Sequence, residues 1–396
     1  MKLVFLGTAS CYPTAHRAVS CTALKFEDGF VWLFDCGEGS QIQVQKSSIR
    51  PSRITKIFIT HLHGDHLFGI SGLICTLGNQ VMDRKDFILE IFGPQGLRRY
   101  VREVLCLSRS PLPFPFKVHE LIPMDDQLPR NWSSWGVSQE ATGQPHPQEL
   151  PGRDIQGENG VWNLIEDDLV TVQAGRVKHR VPTFGFVITE STKPGKLNIE
   201  KLKEMGLKPG PICASIKKGE TVTLPSGQIV RPSDVIGPPI LGRKISILGD
   251  TYNSDQMLDL VRNSDLLVHE ATLEDAMKEK AIENGHSTPS MAADYALRAD
   301  VRKLVLYHFS QRYKSEPSEE EKLQQEAGDK ATQKVDQDGD DDGGTEEDKN
   351  ASCSRICTVS YVSVLLAEAK AALECSKCSV LIAEDLMELD IPRIRL

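Results

Sequence analysis

The chain has 396 residues, 40% of them hydrophobic, which is enough to bury a sizeable core in one large domain or two medium ones. Its formal net charge is −9, yet residues 316–349 alone hold 14 acidic and 4 basic side chains, so this run carries −10 and the remainder +1. No stretch approaches the roughly 18 apolar residues of a membrane helix, and the apolar run at 3–6 is too short for a signal peptide. Ten cysteines in such a chain predict reduced thiols of the cytosol and/or nucleus and exclude a disulfide scaffold.

Short strands dominate the beginning of the chain. Runs of Val, Ile, Phe and Leu predict strands at 2–6, 21–26, 31–34 and 56–59. Helical spacing follows at 67–77 and again at 94–107, where Pro94 suits a helix start, with the strand-like "ILEIFG" between them. Strands resume near 169–177 and 184–189.

The second half alternates strands with helices. The apolar segments "KISILGD", "DLLVHEAT" and "VRKLVLYHFS" predict strands, and "NSDQMLDLVRN", "LEDAMKEKAIENG" and "SMAADYALRA" predict helices. A last helix near 359–373 and a last strand around 380–391 complete the chain. Strands that are almost wholly apolar belong to sheets covered by helices, and sites in such α/β folds lie where strands end. His61, Asp250, His269 and His308 each follow or end such a strand.

The segment "ITHLHGDHLFGI" at 59–70 places three of the ten histidines and one aspartate within six residues. A polar loop is the plain alternative to a metal site. In the metal interpretation, a turn at Gly64 directs His61 and His63 toward one ion, while Asp65 and His66 at the start of the next helix address a second.

The remaining ligands must come from far along the chain, and each is a weak candidate alone. His179 in "RVKHRVPTFGF" could be an ordinary surface or core histidine. Asp250 could cap a turn or helix, or bridge two metals as a carboxylate. His308 in "LYHFSQRY" has the same position at the end of a strand.

Two segments have unusual charge. Residues 191–244 contain ten Lys or Arg against four Asp or Glu, which predicts either a solvated surface extension or an arm that follows phosphates. Residues 315–350 are acidic and lack aromatic side chains, so we expect a disordered insertion that either is a tolerated loop or screens RNA binding.

The longer motifs point to one family. "FDCGEGSQ", "ITHLHGDHLFGISGL", "HRVPTFGF", "PGKLN", "KPGP", "GRKISILGD", "LVHEAT", "GHST" and "HFSQRY" occur in this order over nearly the whole chain except the acidic insertion. Together they resemble the short form of tRNase Z, a zinc phosphodiesterase family of the metallo-β-lactamase superfamily that cuts tRNA precursors at their 3′ ends. The resemblance implies an α/β fold in which two mixed sheets flanked by helices form an αββα sandwich. It further implies one domain over 1–396 with a protruding flexible basic arm at 191–240, where Lys208, Pro209, Gly210 and Pro211 match a motif that grips tRNA.

The resemblance also implies site roles, carried over residue by residue. It places two zinc ions in each subunit, the first on His61, His63 and His179, the second on Asp65, His66 and His308, with Asp250 bridging. Asp35 of "FDCGEG" would orient a ligand. Asp65 would hold the proton of a zinc-activated hydroxide, and the Glu270–His286 pair would protonate the leaving 3′-oxygen. The products would be a tRNA with a 3′-OH and a trailer with a 5′-phosphate.

The predicted activity is therefore that of an endoribonuclease acting on tRNA precursors, in a family that is usually homodimeric and needs no membrane. The alternatives are a small-phosphodiester hydrolase of the same fold, repair of tRNA 3′ ends, and a noncatalytic RNA-binding relic. Cys353, Cys357, Cys375 and Cys378 mimic a structural zinc spacing, but the helix-like segment between them favours packing over metal binding.

Overall fold

The structure, a computed structural model, describes residues 1–81, 84, 86–137, 144–206, 210–224, 227–315 and 360–393. Lys208, Pro209, Cys353, Cys357 and nearly all of the acidic segment 315–350 lie outside these residues.

Two mixed β-sheets form the centre of the molecule. In the described chain, the first contains β1 (Lys2–Gly7), β2 (Cys21–Lys25), β3 (Val31–Phe34), β4 (Ile54–Phe58), β5 (Leu89–Pro94), β6 (Phe116–Leu121), β7 (Glu149–Leu150), β8 (Asp154–Ile155) and β20 (Glu388–Asp390). The strand order is β20-β1-β2-β3-β4-β5-β6-β7, and β8 also pairs with β6. Pairing is antiparallel from β20 to β3 and parallel from β3 onward.

The second sheet, like the first, combines antiparallel strands with parallel strands. It contains β9 (Val161–Glu166), β10 (Val170–Val177), β11 (Thr183–Glu190), β14 (Lys244–Leu248), β15 (Leu266–Glu270), β16 (Lys303–Tyr307) and β19 (Ser379–Ile382), in the order β19-β16-β15-β14-β11-β10-β9. Pairing is antiparallel from β9 to β14 and parallel from β14 to β19. Two small ladders pair β12 (Val222–Thr223) with β13 (Ile229–Val230), and β17 (Tyr313–Lys314) with β18 (Ser360–Tyr361).

Helices cover the outer face of each sheet. They are α1 (Ser40–Lys46), α2 (Gly64–Leu67), α3 (Ile70–Gly78), α4 (Leu97–Leu107), α8 (Leu258–Val261), α9 (Lys278–Glu283), α10 (Pro289–Arg298) and α11 (Val362–Ala372). The basic segment between β11 and β14 contains α5 (Ile199–Glu204), α6 (Pro211–Lys217) and α7 (Pro232–Val235). Within the residues described, none of these helices combines the length and apolarity needed to cross a bilayer.

Three apolar layers hold the sandwich together. The middle layer lies between the sheets, where the ring of Phe58 is 5.0 Å from that of Phe34 and 5.4 Å from that of Phe186. The outer layers bury the apolar faces of α1, α3 and α4 against the first sheet, and those of α10 and α11 against the second. Because both faces of each sheet are covered, the central strands are apolar along their length. The predicted αββα architecture is confirmed.

The helix predicted at 253–263 is present but shorter, as a 3-10 turn at Asp255–Met257 that continues into α8, and Met257 packs over two glycines of the second sheet. Two local predictions were wrong. The predicted last strand divides into β19 and β20, which belong to different sheets. Pro94 ends a strand, and the helix begins after Gly96, whose φ of +104° suits glycine.

The basic segment forms a subdomain between β11 and β14. Two antiparallel bridges, Lys193 with Ile240 and Leu197 with Ile236, close its base. It has a small core of its own, made of Leu202, Ile216, Leu224, Val230 and Val235. This core is separate from the layers of the sandwich, so the subdomain is held mainly by local contacts.

A buried ion pair anchors the base of this subdomain. Arg243 Nε lies 2.8 Å from Glu190 Oε2, and Arg243 NH2 donates to Glu190 Oε1 at 2.9 Å. Their side chains are only 3% and 7% exposed. Arg243 also contacts Glu27, and Glu190 also accepts from Arg393. Arg243, counted above among the basic residues of the segment, is therefore structural.

We expect Glu190→Gln to destabilise the protein by about 3 kcal/mol, because among the described residues it leaves the buried Arg243 guanidinium with only the exposed Glu27 as an anionic partner. Urea denaturation measures the change. Asp259→Asn is the matched control, since Asp259 pairs with Arg262 at the surface and its side chain is 95% exposed. Equal stability of the two variants would contradict this role for the buried pair.

Candidate metal-dependent active site

The predicted ligands meet at one edge of the sandwich, where strands end. His61 follows β4, His179 follows β10, Asp250 follows β14 and His308 follows β16, while Asp65 and His66 lie on α2. The carboxyl ends of these strands face the same edge, so residues far apart in the chain converge there. The structure brings all seven predicted ligands together, as two donor groups that adjoin at Asp250.

The first group contains His61, His63, His179 and Asp250. His63 Nδ1 lies 3.0 Å from His61 Nε2 and 3.3 Å from His179 Nε2. Asp250 Oδ2 lies 3.7 Å from His61 Nε2. All four donor atoms lie within 4.8 Å of one another.

The second group contains Asp65, His66 and His308. His308 Nε2 lies 3.1 Å from His66 Nε2 and 3.4 Å from Asp65 Oδ2. Asp250 reaches this group as well, with Oδ1 at 3.3 Å from His66 Nε2 and Oδ2 at 3.3 Å from His308 Nε2. Asp250 therefore contacts both groups, as a bridging carboxylate must.

Hydrogen bonds from Nδ1 orient two of the imidazoles so that Nε2, the nitrogen that would bind a metal, faces the site. His179 Nδ1 donates to the carbonyl of Gly285 at 2.7 Å, and His66 Nδ1 donates to Asp35 Oδ2 at 2.7 Å. In the neutral rings this leaves the Nε2 lone pairs facing the site. Burial alone would lower the pKa of His66, but the carboxylates of Asp250, Asp35 and Asp65 hold it well above the usual range. At His61, His63 and His179 burial instead lowers the pKa, which keeps these rings neutral and able to bind a metal.

These donors fit zinc. Zinc takes His nitrogen and carboxylate oxygen at about 2.0–2.2 Å in tetrahedral geometry, so neighbouring donors stand about 3.3–3.5 Å apart. Most of the separations above are within a few tenths of an ångström of that value. Asp250 Oδ1 is also buried without a hydrogen-bond partner in the described chain, as expected of a metal ligand.

Asp35 holds the second group from behind. Its backbone has a φ of +60°, a conformation that Asp tolerates better than most residues, and its carboxylate points toward His66 and Thr60. Thr60 N donates to Asp35 Oδ1 at 2.7 Å. That Asp35 orients a ligand stays a prediction, and the contact with His66 Nδ1 supports it.

We expect Asp35→Asn to weaken zinc binding by about 10- to 100-fold, because an amide NH₂ in place of one oxygen repels the His66 Nδ1–H or reverses its tautomer. Competition with a chromophoric zinc chelator measures the affinity. Asp28→Asn, in an exposed turn, should leave it unchanged. Unaltered affinity in Asp35→Asn would show that Asp35 does not orient a ligand.

Glu270 and His286 form a pair beside the donor groups. His286 Nδ1 lies 2.9 Å from Glu270 Oε1, which also accepts from Thr251 N at 2.8 Å. Burial would lower the pKa of His286, but the Glu270 carboxylate raises it to about 9. His286 Nδ1 is 3.8 Å from Asp250 Oδ2, so the pair adjoins the bridging carboxylate.

Two contacts at this site were not foreseen from the sequence. Thr272 Oγ1 donates to Glu270 Oε2 at 2.6 Å and lies 3.0 Å from His308 Nδ1, so it links the pair to a predicted ligand. Cys11 N donates to Asp65 Oδ2 at 2.6 Å. Thr272 ends the "HEAT" motif and could have been singled out there, whereas the contact from Cys11 is a backbone interaction that leaves no signal in the sequence.

Some candidates lie elsewhere. His269 was placed at a strand end like the ligands, but side chains alternate along β15, so it faces away toward Ser254 while Glu270 faces the site. In the arm, Gly210 precedes α6 and Pro211 begins it. Cys375 and Cys378 are free thiols, and their predicted companions lie outside the described residues.

Known proteins match this chain both over its first 93 residues and over most of its length. A family profile described as "Anti-Pycsar protein Apyc1" matches residues 1–93, which include "HLHGDH" but none of the later donors. The zinc phosphodiesterase ELAC protein 1 of Bos taurus is 48% identical over 320 residues, covering 79% of this chain and 87% of the relative.

Solved structures agree. The crystal structure of human tRNase Z, short form, superimposes with a TM-score of 0.61 at 32% identity, covering 99% of this chain and 100% of that one. A metallo-β-lactamase fold protein from Bacillus subtilis shares the fold alone, with a TM-score of 0.52 at 14% identity over 98% of each chain. From its identity to relatives matched over most of their length, together with this fold and donor set, the chain belongs to the short-form tRNase Z family of zinc phosphodiesterases, which has the metallo-β-lactamase fold.

Proposed function

We propose that this protein is an endoribonuclease that removes 3′ trailers from tRNA precursors. The observation that carries the proposal is the junction of two metal-donor groups at Asp250, next to the Glu270–His286 pair. The names of the relatives, zinc phosphodiesterase and tRNase Z, support the substrate class.

Two zinc ions would be held in each subunit. We assign the first to His61, His63 and His179, the second to Asp65, His66 and His308, and the bridging position to Asp250. When bound, such ions supply a water of lowered pKa and offset the negative charge that develops on phosphoryl oxygens.

The chain's own residues handle the protons. Asp65, whose Oδ2 accepts from Cys11 N, is positioned to hold the proton of the attacking water. Glu270 fixes the ring of His286 through Nδ1, which leaves Nε2 to donate to the departing 3′-oxygen. The products are then a tRNA with a free 3′-OH and a trailer with a 5′-phosphate.

The segment 191–240 would serve as the arm that binds tRNA within one domain spanning 1–396. Nine of the ten basic residues at 191–244 lie in the described part of the chain, and seven of these are exposed, namely Lys193, Lys196, Lys201, Lys203, Lys217, Lys218 and Arg231. Lys208, Pro209, Gly210 and Pro211 would provide the contact motif. Exposed Lys and Arg on such a surface attract phosphates and make binding depend steeply on salt.

Three finer points of the proposal concern assembly and cellular setting. The protein acts as a homodimer, in which one subunit's arm holds the tRNA that the other subunit cuts. It works in the cytosol and/or nucleus. The acidic segment 315–350 is an insertion that this activity tolerates.

Cleavage of a labelled tRNA precursor by the zinc-loaded protein tests the proposal. Cleavage should leave a mature 3′ end and a 5′-phosphorylated trailer, and His63→Ala should abolish it. Hydrolysis of bis-p-nitrophenyl phosphate without any cleavage of the precursor would instead favour the small-phosphodiester hydrolase.

We expect His286→Ala to reduce precursor cleavage by about 10²- to 10⁴-fold, the usual contribution of a positioned general acid. Hydrolysis of bis-p-nitrophenyl phosphate should fall far less, because p-nitrophenolate leaves without needing a proton. Single-turnover rates on both substrates, with the zinc content checked, give the comparison. Equal losses on the two substrates would assign His286 a structural role.

A further inference from the structure

A pocket of about 330 Å³ borders the candidate active site at His63. Its walls include Leu62, His63, Pro94, Trp132, Trp135 and Pro182. Its volume is at the lower end for small-ligand sites, and its walls are mainly apolar and aromatic. The roles assigned above to the metal donors and to the Glu270–His286 pair do not use the pocket beyond His63.

The loop that contributes the two tryptophans is fixed to the body of the protein. Arg99 NH1 donates to the carbonyl of Gly136 at 2.9 Å, and Val137 packs so closely on Gly96 that a Cβ there would lie 2.5 Å from Val137 Cγ1. Gln127 Nε2 donates to the carbonyl of Thr183 at 3.3 Å, beside Pro182 of the opposite wall. The tryptophans are therefore held in place next to His63.

The aromatic walls suit a planar, partly polar ligand. The rings of Trp132 and Trp135 lie 5.4 Å apart at 50°, and Trp135 is 42% exposed although large aromatic residues are usually buried. Gln95 adds an amide at the edge of the pocket, able to hydrogen-bond a base edge. Aromatic side chains stack on nucleobases with little dependence on sequence. A nucleobase next to the scissile bond is the ligand that both the walls and the location favour.

The geometry points to one nucleotide. The ring of His179 contacts both that of His63, which borders the pocket, and that of His286, with centroids 5.0 and 5.2 Å apart, so His179 separates the pocket from the proton donor. If His286 protonates the 3′-oxygen of the tRNA, the nucleoside on the other side of the phosphorus belongs to the trailer. We propose that this pocket stacks the base of the first trailer nucleotide, an inference that rests on the proposed function.

The test pairs tryptophan variants with a modified precursor. Trp135→Ala should lower kcat/KM for a natural precursor by about tenfold, within the range measured for loss of one base-stacking contact. On a precursor that is abasic at the first trailer position, the wild type should lose about the same factor, and Trp135→Ala should lose nothing further. Trp135→Phe should retain most of the activity on the natural precursor.

Controls separate stacking from folding. Leu107→Ala, at a side chain that is 84% exposed on α4, should leave kcat/KM unchanged. If Trp135→Ala does not fold, the wild-type loss on the abasic precursor still tests the pocket.

Three outcomes would overturn the inference. If Trp135→Ala lowered kcat/KM equally on the natural and the abasic precursor, the role of the tryptophan would be structural. If the wild type cleaved the abasic precursor as fast as the natural one, the pocket would not bind that base. If an abasic site at the last tRNA nucleotide lowered the wild-type rate and one at the first trailer nucleotide did not, the assignment of the pocket to the trailer would be overturned. A wild type that cleaves no tRNA precursor would count against the proposed function itself, which a failure of the pocket alone would not.

Discussion

Asp250→Ala is expected to lower precursor cleavage by at least about 10³-fold and to reduce the zinc content of the purified protein. Asp250 lies within 3.3–3.7 Å of donors in both groups, so its loss disturbs both candidate metal positions at once. Metal ions contribute several kcal/mol of transition-state stabilisation, and each 1.36 kcal/mol corresponds to a tenfold change in rate. Elemental analysis and single-turnover kinetics measure the two effects.

The matched control is Asp259→Ala, at an exposed carboxylate nine residues from Asp250 in sequence. It should keep full zinc content and full activity. Full zinc content in Asp250→Ala would show that Asp250 does not bridge two zinc ions. Full activity at reduced zinc content would contradict the two-metal mechanism while leaving Asp250 as a ligand.

Deletion of residues 193–237 is expected to raise KM for the precursor by about 10²-fold, because it removes the exposed basic residues of the arm while the metal donors remain. Hydrolysis of bis-p-nitrophenyl phosphate should change little. The sandwich should survive the deletion, since the five core residues of the arm form a cluster separate from its layers. Steady-state kinetics over a series of salt concentrations separate binding from chemistry.

A charge-reversal variant provides the second arm of this experiment. Lys217→Glu with Lys218→Glu keeps the subdomain and should make the salt dependence shallower by about 1 in log–log slope for each lysine that contacts a phosphate. An unchanged KM and salt slope in both variants would show that tRNA does not use the arm.

Local patterning was sufficient for much of the fold. Strand positions such as Val31–Phe34 and Leu266–Glu270 followed from short apolar runs, because strands covered on both faces have little choice of composition. The ligands at 61–66 were equally local, since one turn into α2 presents all four side chains. How the short helical segment at 255–261 packs depended on distant partners, as the contact of Met257 with Gly175 and Gly185 shows.

The distant ligands illustrate the limit of sequence patterns. His179 and Asp250 had plausible ordinary roles until the motif order suggested a family, while His269 had an equally suitable position and faces the wrong side of β15. Counting charged residues along the sequence has the same limit, as the arm shows. Arg243 counted toward a basic surface, yet it is 3% exposed and paired with Glu190.

The sequence by itself determined the alternation of strands and helices, the metal-binding character of "HLHGDH" and the family, because these depend on residue type and spacing along the chain. Only the tertiary structure decided that Asp250 touches both donor groups, that Thr272 links Glu270 to His308, and that two tryptophans line a pocket at His63. The physical reason is that such contacts depend on where separate strand ends and loops meet in space. Periodicity and composition carry no record of those distances.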